Sequence, residues 1–255
     1  MDGGLAVIRK QQFRQRKDEP KVASYGTIGI IGAMQEEVKL LLEHMDNPQA
    51  EQHAGLTYHR GTLHGRKVVV TQSGVGKVNA AVCTQVLIDR FSADAVLFTG
   101  VAGAVDPELN IGDIVVSTSS LQHDVDVTAL GFKRGEIPYQ AVSEYPSDEA
   151  LVKLAQAAGE KVFPGRCRTG RVLSGDQFIA DRAVVRTLHE ELGGACTEME
   201  GAAVAQVCHM NGIPHVIIRS MSDKADGSAH VNFAEFTAEA ADRSFAIVSG
   251  MVQGL

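Results

Sequence analysis

The chain has 255 residues, 44% of them hydrophobic and 22% charged, and a formal net charge of −7. That length is enough for a large α/β domain with an extensive core, and the composition is typical of a globular protein. The negative charge argues against a protein that binds nucleic acid or an anionic membrane surface. No apolar run reaches the roughly 18 residues that a membrane span requires.

Residues 1–25 differ in composition from the rest of the chain. They carry six basic and three acidic side chains, without the long apolar stretch of a signal peptide. We expect 1–25 to be a flexible extension or a leader added for expression, and 26–255 to form a single domain.

From residue 27 onwards, short apolar runs alternate with helical patterns. Residues 27–31 have the composition of a buried strand, and 34–45 predict an amphipathic helix with Val38 and Leu41 on its apolar face. The remaining predicted elements are a hairpin of Leu56–Leu63 and Arg66–Gln72, strands at 94–99, 113–118, 169–174, 195–199 and 214–221, and helices from residue 77 and at 148–158, 181–192, 201–210 and 233–252.

This alternation predicts a largely parallel central sheet covered by helices on both faces, made mixed by the hairpin. The fold class is therefore α/β, a three-layer α/β/α sandwich around a mixed central sheet. Ligands of such sheets bind beyond the carboxyl ends of the strands. Polar or acidic groups follow five of the predicted strands, namely Glu36 and Glu37, residues 100–103, residues 174–176, residues 198–200, and Ser222 with Asp223.

Two short motifs suggest other chemistry without completing it. The run from Gly74 to Lys77 is like a phosphate-binding loop, but Val78 follows where Ser or Thr is required, and Thr71 replaces the first glycine. His123 lies beside two aspartates, but no second histidine cluster completes a metal site. The four cysteines form no CxxC pair and indicate reduced thiols in a cytoplasmic protein. We therefore expect no nucleoside-triphosphate site, no metal and no cofactor.

The combination of motifs is more specific than any one of them. "GAMQEE", "SGVGKVNAA", "TGVAGA", "GDIVVS", "HDVDVTALG", "SGDQFI", "EMEGAAVAQVC" and "SDKADG" follow one another across residues 27–255. In this order they resemble the bacterial 5′-methylthioadenosine/S-adenosylhomocysteine nucleosidases of the nucleoside phosphorylase superfamily. The resemblance implies a nucleoside phosphorylase-like fold and a cytoplasmic homodimer without a cofactor.

The implied reaction is hydrolysis of the N-glycosidic bond of 5′-methylthioadenosine and S-adenosylhomocysteine, and also of 5′-deoxyadenosine. Adenine and the 5′-thioribose are released, as in methionine salvage and methyl-cycle recycling. The sequence does not rank these three nucleosides, or aminofutalosine, as substrates.

The resemblance also implies the catalytic groups. Asp223 matches the general acid that protonates adenine N7, with Ser222 orienting it. A carboxyl group can donate a proton near neutral pH when burial and neighbouring acids raise its pKa. Glu37 matches the base that activates water, with Glu198 and Arg219 around that water.

Other positions match substrate-binding residues of the family. Glu200 would accept hydrogen bonds from the ribose hydroxyls, and Met199 would pack against the ribose. The other implied substrate contacts are Phe178 and Ile179 at the base, Ala102 and Gly103 after the strand at 94–99, Met34, Val75 and Phe233 around the 5′ group, and Val127, Leu130 and Pro138 supplied by the partner subunit. Leu130 departs from the aromatic residue common in the family, so the width of the 5′ slot stays open.

Two other readings compete with a hydrolase. A phosphorylase on the same fold would need cationic or hydroxyl-rich phosphate contacts near the first glycine turn, where this chain has Glu36 and Glu37. A non-catalytic nucleoside-binding protein would not need Asp223, Glu37 and Glu200 together. The acids therefore favour a hydrolase that uses water.

Overall fold

A computed structural model describes residues 25–225 and 229–255. The expectation for the N-terminal extension concerns residues that, apart from Tyr25, lie outside this part of the chain. The division into an extension and a single domain stays a prediction.

The described chain alternates strands and helices, largely as the sequence predicts. The strands are β1 (Ile28–Gly32), β2 (Asp46–His53), β3 (Leu56–Leu63), β4 (Arg66–Gln72), β5 (Ala95–Ala104), β6 (Ile114–Gln122), β7 (Glu144–Pro146), β8 (Cys167–Ser174), β9 (Gly194–Glu198) and β10 (His215–Asp223). The helices are α1 (Gln35–Glu43), α2 (Lys77–Phe91), α3 (Glu149–Val162), α4 (Arg182–Glu190), α5 (Gly201–Asn211) and α6 (Ala229–Gly254), with a short 3₁₀ turn at Thr128–Leu130.

All ten strands belong to one mixed sheet. Strands β2, β3, β4, β1 and β5 lie side by side in that order, and β5 then pairs with both β10 and β9. Strand β10 also pairs with β6, β6 pairs with β8, and β8 pairs with β9. These four strands and β5 therefore close into a ring. The mixed sheet is confirmed, whereas the sequence did not predict the ring. Antiparallel pairs also occur away from the hairpin, between β10 and β6 and between β5 and β9.

Helices cover both faces of the sheet, which confirms the three-layer arrangement. Alternate residues of a strand point to opposite faces. On β5, Val96 and Phe98 pack into the apolar cluster that includes α2 and α5, and Leu97 packs into the cluster of α1, α3 and α6. Within the part of the chain that the structure describes, no helix is both long and apolar enough to cross a membrane.

The predicted ends of two strands were wrong in a way that matters for the site. Residues 100–103 were expected to follow the strand at 94–99, but β5 continues through them to Ala104. The reason is non-local, because Gly100 pairs with Arg219 on β10 and Gly103 pairs with Thr197 on β9. Strand β10 likewise continues through Asp223. The sequence also failed to predict β7 and β2, and β2 is a largely exposed edge strand.

Candidate active site

A cavity of about 300 Å³ lies where the carboxyl ends of β1, β5, β8, β9 and β10 converge. This is the edge of the sheet at which the sequence predicts a ligand site. The cavity is lined by Ala33, Met34, Glu37, Val75, Val101, Ala102, Gly103, Gln177, Phe178, Ile179, Thr197, Glu198, Met199, Glu200, Ser222, Asp223 and Phe233.

Most of the predicted site residues therefore lie together, but four of them do not line this cavity. Arg219 lies behind the wall and is completely buried. The other three, Val127, Leu130 and Pro138, lie on the connection between β6 and β7. They do not line the cavity of the described chain. The resemblance in sequence assigns them to the pocket of a partner subunit.

The sequence reading missed some lining residues that local signals could have indicated. Gln177 is next to Phe178 within the "SGDQFI" motif, so its position beside the cavity follows from its neighbour. Thr197 precedes Met199 by two residues within the predicted strand 195–199, and that spacing places side chains on one face of a strand.

The Arg219 guanidinium is the central charge behind the cavity. Its Nη2 donates to Glu198, lies 3.4 Å from Glu200 Oε2, and its Nη1 is 3.9 Å from Glu37 Oε1. The guanidinium carbon also lies 4.1 Å from the centroid of the Phe98 ring. A completely buried cation is tolerated only when charges of opposite sign and hydrogen bonds surround it, and here the acids supply both.

Gly100 makes room for this ion cluster. A Cβ built at Gly100 would overlap both Arg219 Nη1 and the carboxyl group of Glu37. Because β5 runs directly beneath the two side chains, only a residue without a side chain fits there. The glycine that made residues 100–103 look like a turn is thus required inside a strand.

Glu37 extends from the first turn of α1 back over the end of β1. Its Oε2 accepts hydrogen bonds from the backbone N–H groups of Ala33 and Met34 at 2.6 and 2.9 Å, and its Oε1 accepts one from Val101 at 2.9 Å. Burial raises the pKa of Glu37 above its ordinary value of 4.5, although Arg219 and these N–H groups oppose the shift. The carboxylate is thus fixed in position and made more basic.

Glu198 and Glu200 flank the start of α5. Glu198 accepts a hydrogen bond from Ser174 Oγ. Its two carboxylate oxygens also accept from Gly201 N, at 2.9 and 2.8 Å, so it binds the positive end of the helix. Glu200 Oε1 accepts a hydrogen bond of 2.9 Å from Gly76 N. Burial, together with the neighbouring charge of Glu198, raises the pKa of the Glu200 carboxyl group.

Asp223 also lines the cavity, at the end of β10. Ser222 Oγ donates to its Oδ2 at 2.9 Å, and Ala225 N donates to its Oδ1 at 2.7 Å. A Cβ at Gly103 would approach Asp223 Oδ1 to 2.8 Å. The missing side chain at Gly103 therefore makes room for this carboxyl group.

Two aromatic rings form one edge of the cavity. Phe178 and Phe233 meet edge to face, with centroids 5.7 Å apart at an angle of 81°. Phe178 remains 51% exposed, so its ring offers a free face to a planar ligand. Among the described residues, no group of three or more His, Cys, Asp or Glu side chains is arranged to hold a metal ion.

Comparison with known proteins agrees with this geometry. The family model of the phosphorylase superfamily matches residues 27–253. The chain is 43% identical over 229 residues to a 5′-methylthioadenosine/S-adenosylhomocysteine nucleosidase of Chromohalobacter salexigens, an alignment that covers 89% of this chain and 97% of the relative.

Solved structures show the same relationship. The nucleosidase of that name from Neisseria meningitidis, in complex with methylthio-immucillin-A, has a TM-score of 0.87 at 38% identity and covers 90% of this chain and 100% of its own. A futalosine hydrolase mutant of Helicobacter pylori has a TM-score of 0.86 at 34% identity, with coverages of 90% and 99%. The chain therefore belongs to the phosphorylase superfamily and, within it, to the family of the 5′-methylthioadenosine/S-adenosylhomocysteine nucleosidases.

Proposed function

We propose that the protein hydrolyses the N-glycosidic bond of 5′-methylthioadenosine and S-adenosylhomocysteine, with water as the nucleophile. The names of the relatives support these substrates. The observation that carries the choice of water is the position of Glu37, because its carboxylate already occupies the backbone N–H groups of the first glycine turn.

A phosphorylase would need those N–H groups for its phosphate. Here Ala33 N, Met34 N and Val101 N all donate to Glu37. A phosphate dianion at this position would lose these donors and face a buried carboxylate, with a repulsion on the order of several kcal/mol. Of the two acids noted in the sequence, only Glu37 acts in this way, because Glu36 is exposed on α1. The site thus favours a neutral nucleophile.

The acid and the base line different parts of the cavity, Glu37 beside Val101 and Asp223 beside Gly103. Asp223 would donate a proton to N7 of adenine, held in orientation by Ser222 and by the N–H of Ala225. Glu37 would take a proton from the attacking water, since its buried carboxylate is rigid and has a raised pKa. This division of labour suits a glycosidic bond that breaks through an oxocarbenium-like transition state.

The remaining walls would bind the substrate. Glu200 would accept hydrogen bonds from the ribose hydroxyls and favour positive charge on the sugar. Phe178 would stack on adenine, with the backbone of Ile179 reading its edge, and Met199 would pack against the ribose. Met34, Val75 and Phe233 would form the slot for the 5′ group.

A homodimer would complete this slot. Several apolar side chains are largely exposed, including Val78 on α2, Met210 on the neighbouring α5, and Leu130 and Tyr139 on the connection after β6. Burying them against a second copy would bring Val127, Leu130 and Pro138 to the partner's 5′ slot. The free cysteines are compatible with the cytoplasmic location that the sequence predicts.

The first prediction tests hydrolysis against phosphorolysis. Adenine release from both nucleosides should proceed in phosphate-free buffer, and added phosphate should change the rate by less than about twofold, because the phosphate position is occupied by Glu37. The measurement is chromatography of adenine and of the sugar product. A phosphate requirement, or formation of a ribose 1-phosphate, would contradict the proposal.

The second prediction concerns the acid. Asp223→Asn should lower kcat by about 10²- to 10⁴-fold, the usual contribution of general acid catalysis, while nucleoside binding measured by calorimetry is largely retained. Asp148→Asn, which alters the aspartate that caps α3, is the matched control and should keep full activity. Near-normal turnover by Asp223→Asn would support a non-catalytic acid at this position.

The third prediction concerns pH. Because the pKa of Glu37 is raised above 4.5 and the base must be ionised, kcat/KM should fall as the pH drops through a value above 4.5. Adenine release measured from about pH 4 to about pH 9 gives this profile. Full activity at pH 4.5 would contradict the assignment. If the residual activity of Glu37→Gln still falls at low pH in the same way, the group that titrates would be Glu200 instead of Glu37.

The fourth prediction concerns the dimer. Leu130→Asp places a charge on the proposed interface and should give a monomer by light scattering, with a raised KM because the partner's slot is opened. Val162→Asp, at a partly exposed apolar residue of α3, is the control and should remain dimeric. A monomeric parent protein, or an unchanged KM in the Leu130 variant, would count against a shared pocket.

A further inference from the structure

Three of the sequence motifs meet outside the cavity, in a cluster that the catalytic scheme does not use. Lys77, the first residue of α2, places its Nζ 2.6 Å from Asp124 Oδ1 and 3.0 Å from Gln122 Oε1. Asp124 Oδ2 accepts a hydrogen bond of 3.0 Å from Asp176 N. Asp176 Oδ1 in turn accepts one of 2.8 Å from Lys77 N. Lys77, Asp124 and Asp176 thus form a closed circuit, which we call the lysine clamp.

The lysine clamp is better shielded than an ordinary surface ion pair. The side chains of Lys77 and Asp124 are only 17% and 15% exposed. Burial disfavours the charged form of Asp124, but the hydrogen bonds from Lys77 and from Asp176 N–H outweigh burial and keep its pKa below the ordinary value. Both charged groups are therefore held by several partners, whereas exposed pairs contribute little.

Each segment of the lysine clamp continues directly into a wall of the proposed site. Gly76, which precedes Lys77, donates its N–H to Glu200 Oε1 at 2.9 Å. Asp176 is two residues before Phe178, the proposed stacking ring. Asp124 begins the segment that leads to Leu130, which is assigned to the partner's slot. One ion pair therefore joins the sugar, base and partner-facing walls.

The link from Lys77 to Glu200 is short, because it runs through the single residue Gly76. Gly76 has a φ of +99°, a conformation that other residues adopt only with strain, and a Cβ there would lie 3.2 Å from Asp176 Oδ1. The direction of the Gly76 N–H is therefore set by where the lysine clamp holds the start of α2. Glu200 has no other hydrogen-bond donor in the described structure than Gly76 N and Arg219.

We propose that Lys77 is a positioning residue that orients Glu200 through the backbone N–H of Gly76, anchored by Asp124 and Asp176. This inference rests on the proposed function, in which Glu200 binds the ribose hydroxyls. Lys77 itself touches no substrate. Its loss releases the start of α2, and Glu200 then keeps only its contact with Arg219 and loses its fixed orientation toward the sugar.

The test is a double-mutant cycle on 5′-methylthioadenosine hydrolysis, with Lys77→Met made in the parent protein and in Glu200→Gln. Lys77→Met alone should lower kcat/KM about tenfold, the scale of one weakened hydrogen bond to a charged group. In the Glu200→Gln background the same change should cost less than about twofold, because the group that it orients has already been altered. Lys77→Arg keeps the charge and should retain most of the activity.

The matched control is Lys153→Met, which removes a lysine paired with Glu149 on the exposed face of α3 and should change nothing. Equal losses from Lys77→Met in both backgrounds would mean a general structural role and would overturn the proposal, as would no loss in either. If Lys77→Met fails to fold by circular dichroism, Asp124→Asn takes its place in the cycle.

Failure of the proposed function gives a different result. In that case the parent protein releases no adenine, and calorimetric binding of 5′-methylthioadenosine to the same four proteins replaces the rate measurement. Non-additive loss of affinity would still support the role of Lys77, and additive loss would still overturn it.

Discussion

The site depends on one buried cation. Arg219 is completely inaccessible, and its guanidinium meets carboxylates from three different segments, Glu37 after β1, Glu198 at the end of β9 and Glu200 at the start of α5. Each acid alone would be costly to bury, and so would the cation. Together they hold three strand ends at a fixed spacing, and the requirement for Gly100 follows from the space that they take. The ring closure of the sheet brings β5, β9 and β10 close enough for this cluster to form.

Residues of the same chemical type acquire different roles because their surroundings differ. Glu198 is occupied by Arg219, by Ser174 and by the helix N-terminus, so it is a structural anchor. Glu37 is held by backbone N–H groups. Its Oε1 lies 3.9 Å from Arg219 Nη1, which is too far for a hydrogen bond. Asp223, at the end of β10, accepts hydrogen bonds from Ser222 Oγ and from Ala225 N. Environments that separate acids in this way are how one fold can supply an acid and a base at the same pH.

Local signals predicted most of the elements, and non-local contacts account for what was missed. The β3–β4 hairpin has the predicted bounds because its turn residues, His64 and Gly65, specify it locally by adopting positive φ. The end of β5 was misread because its glycines serve side chains from β10 and α1 that the local sequence does not show. The central place of Arg219 was also underestimated, although a lone charge within the apolar run "VIIRSM" of β10 was a visible signal. The candidate site residues were found through motifs, and their contacts required the structure.

The first glycine turn shows how a shared fold can carry a different reaction. A glycine turn that follows a strand and opens a helix presents unpaired N–H groups, and these attract an anion. In this chain the anion is part of the protein, since Glu37 reaches back from the helix and occupies Ala33 N and Met34 N, while its other oxygen takes Val101 N from β5. The turn therefore keeps its electrostatic preference, but its N–H groups are already occupied. On the proposed function, a single internal carboxylate thus converts an anion site into a site for a base, and the superfamily fold alone does not determine the nucleophile.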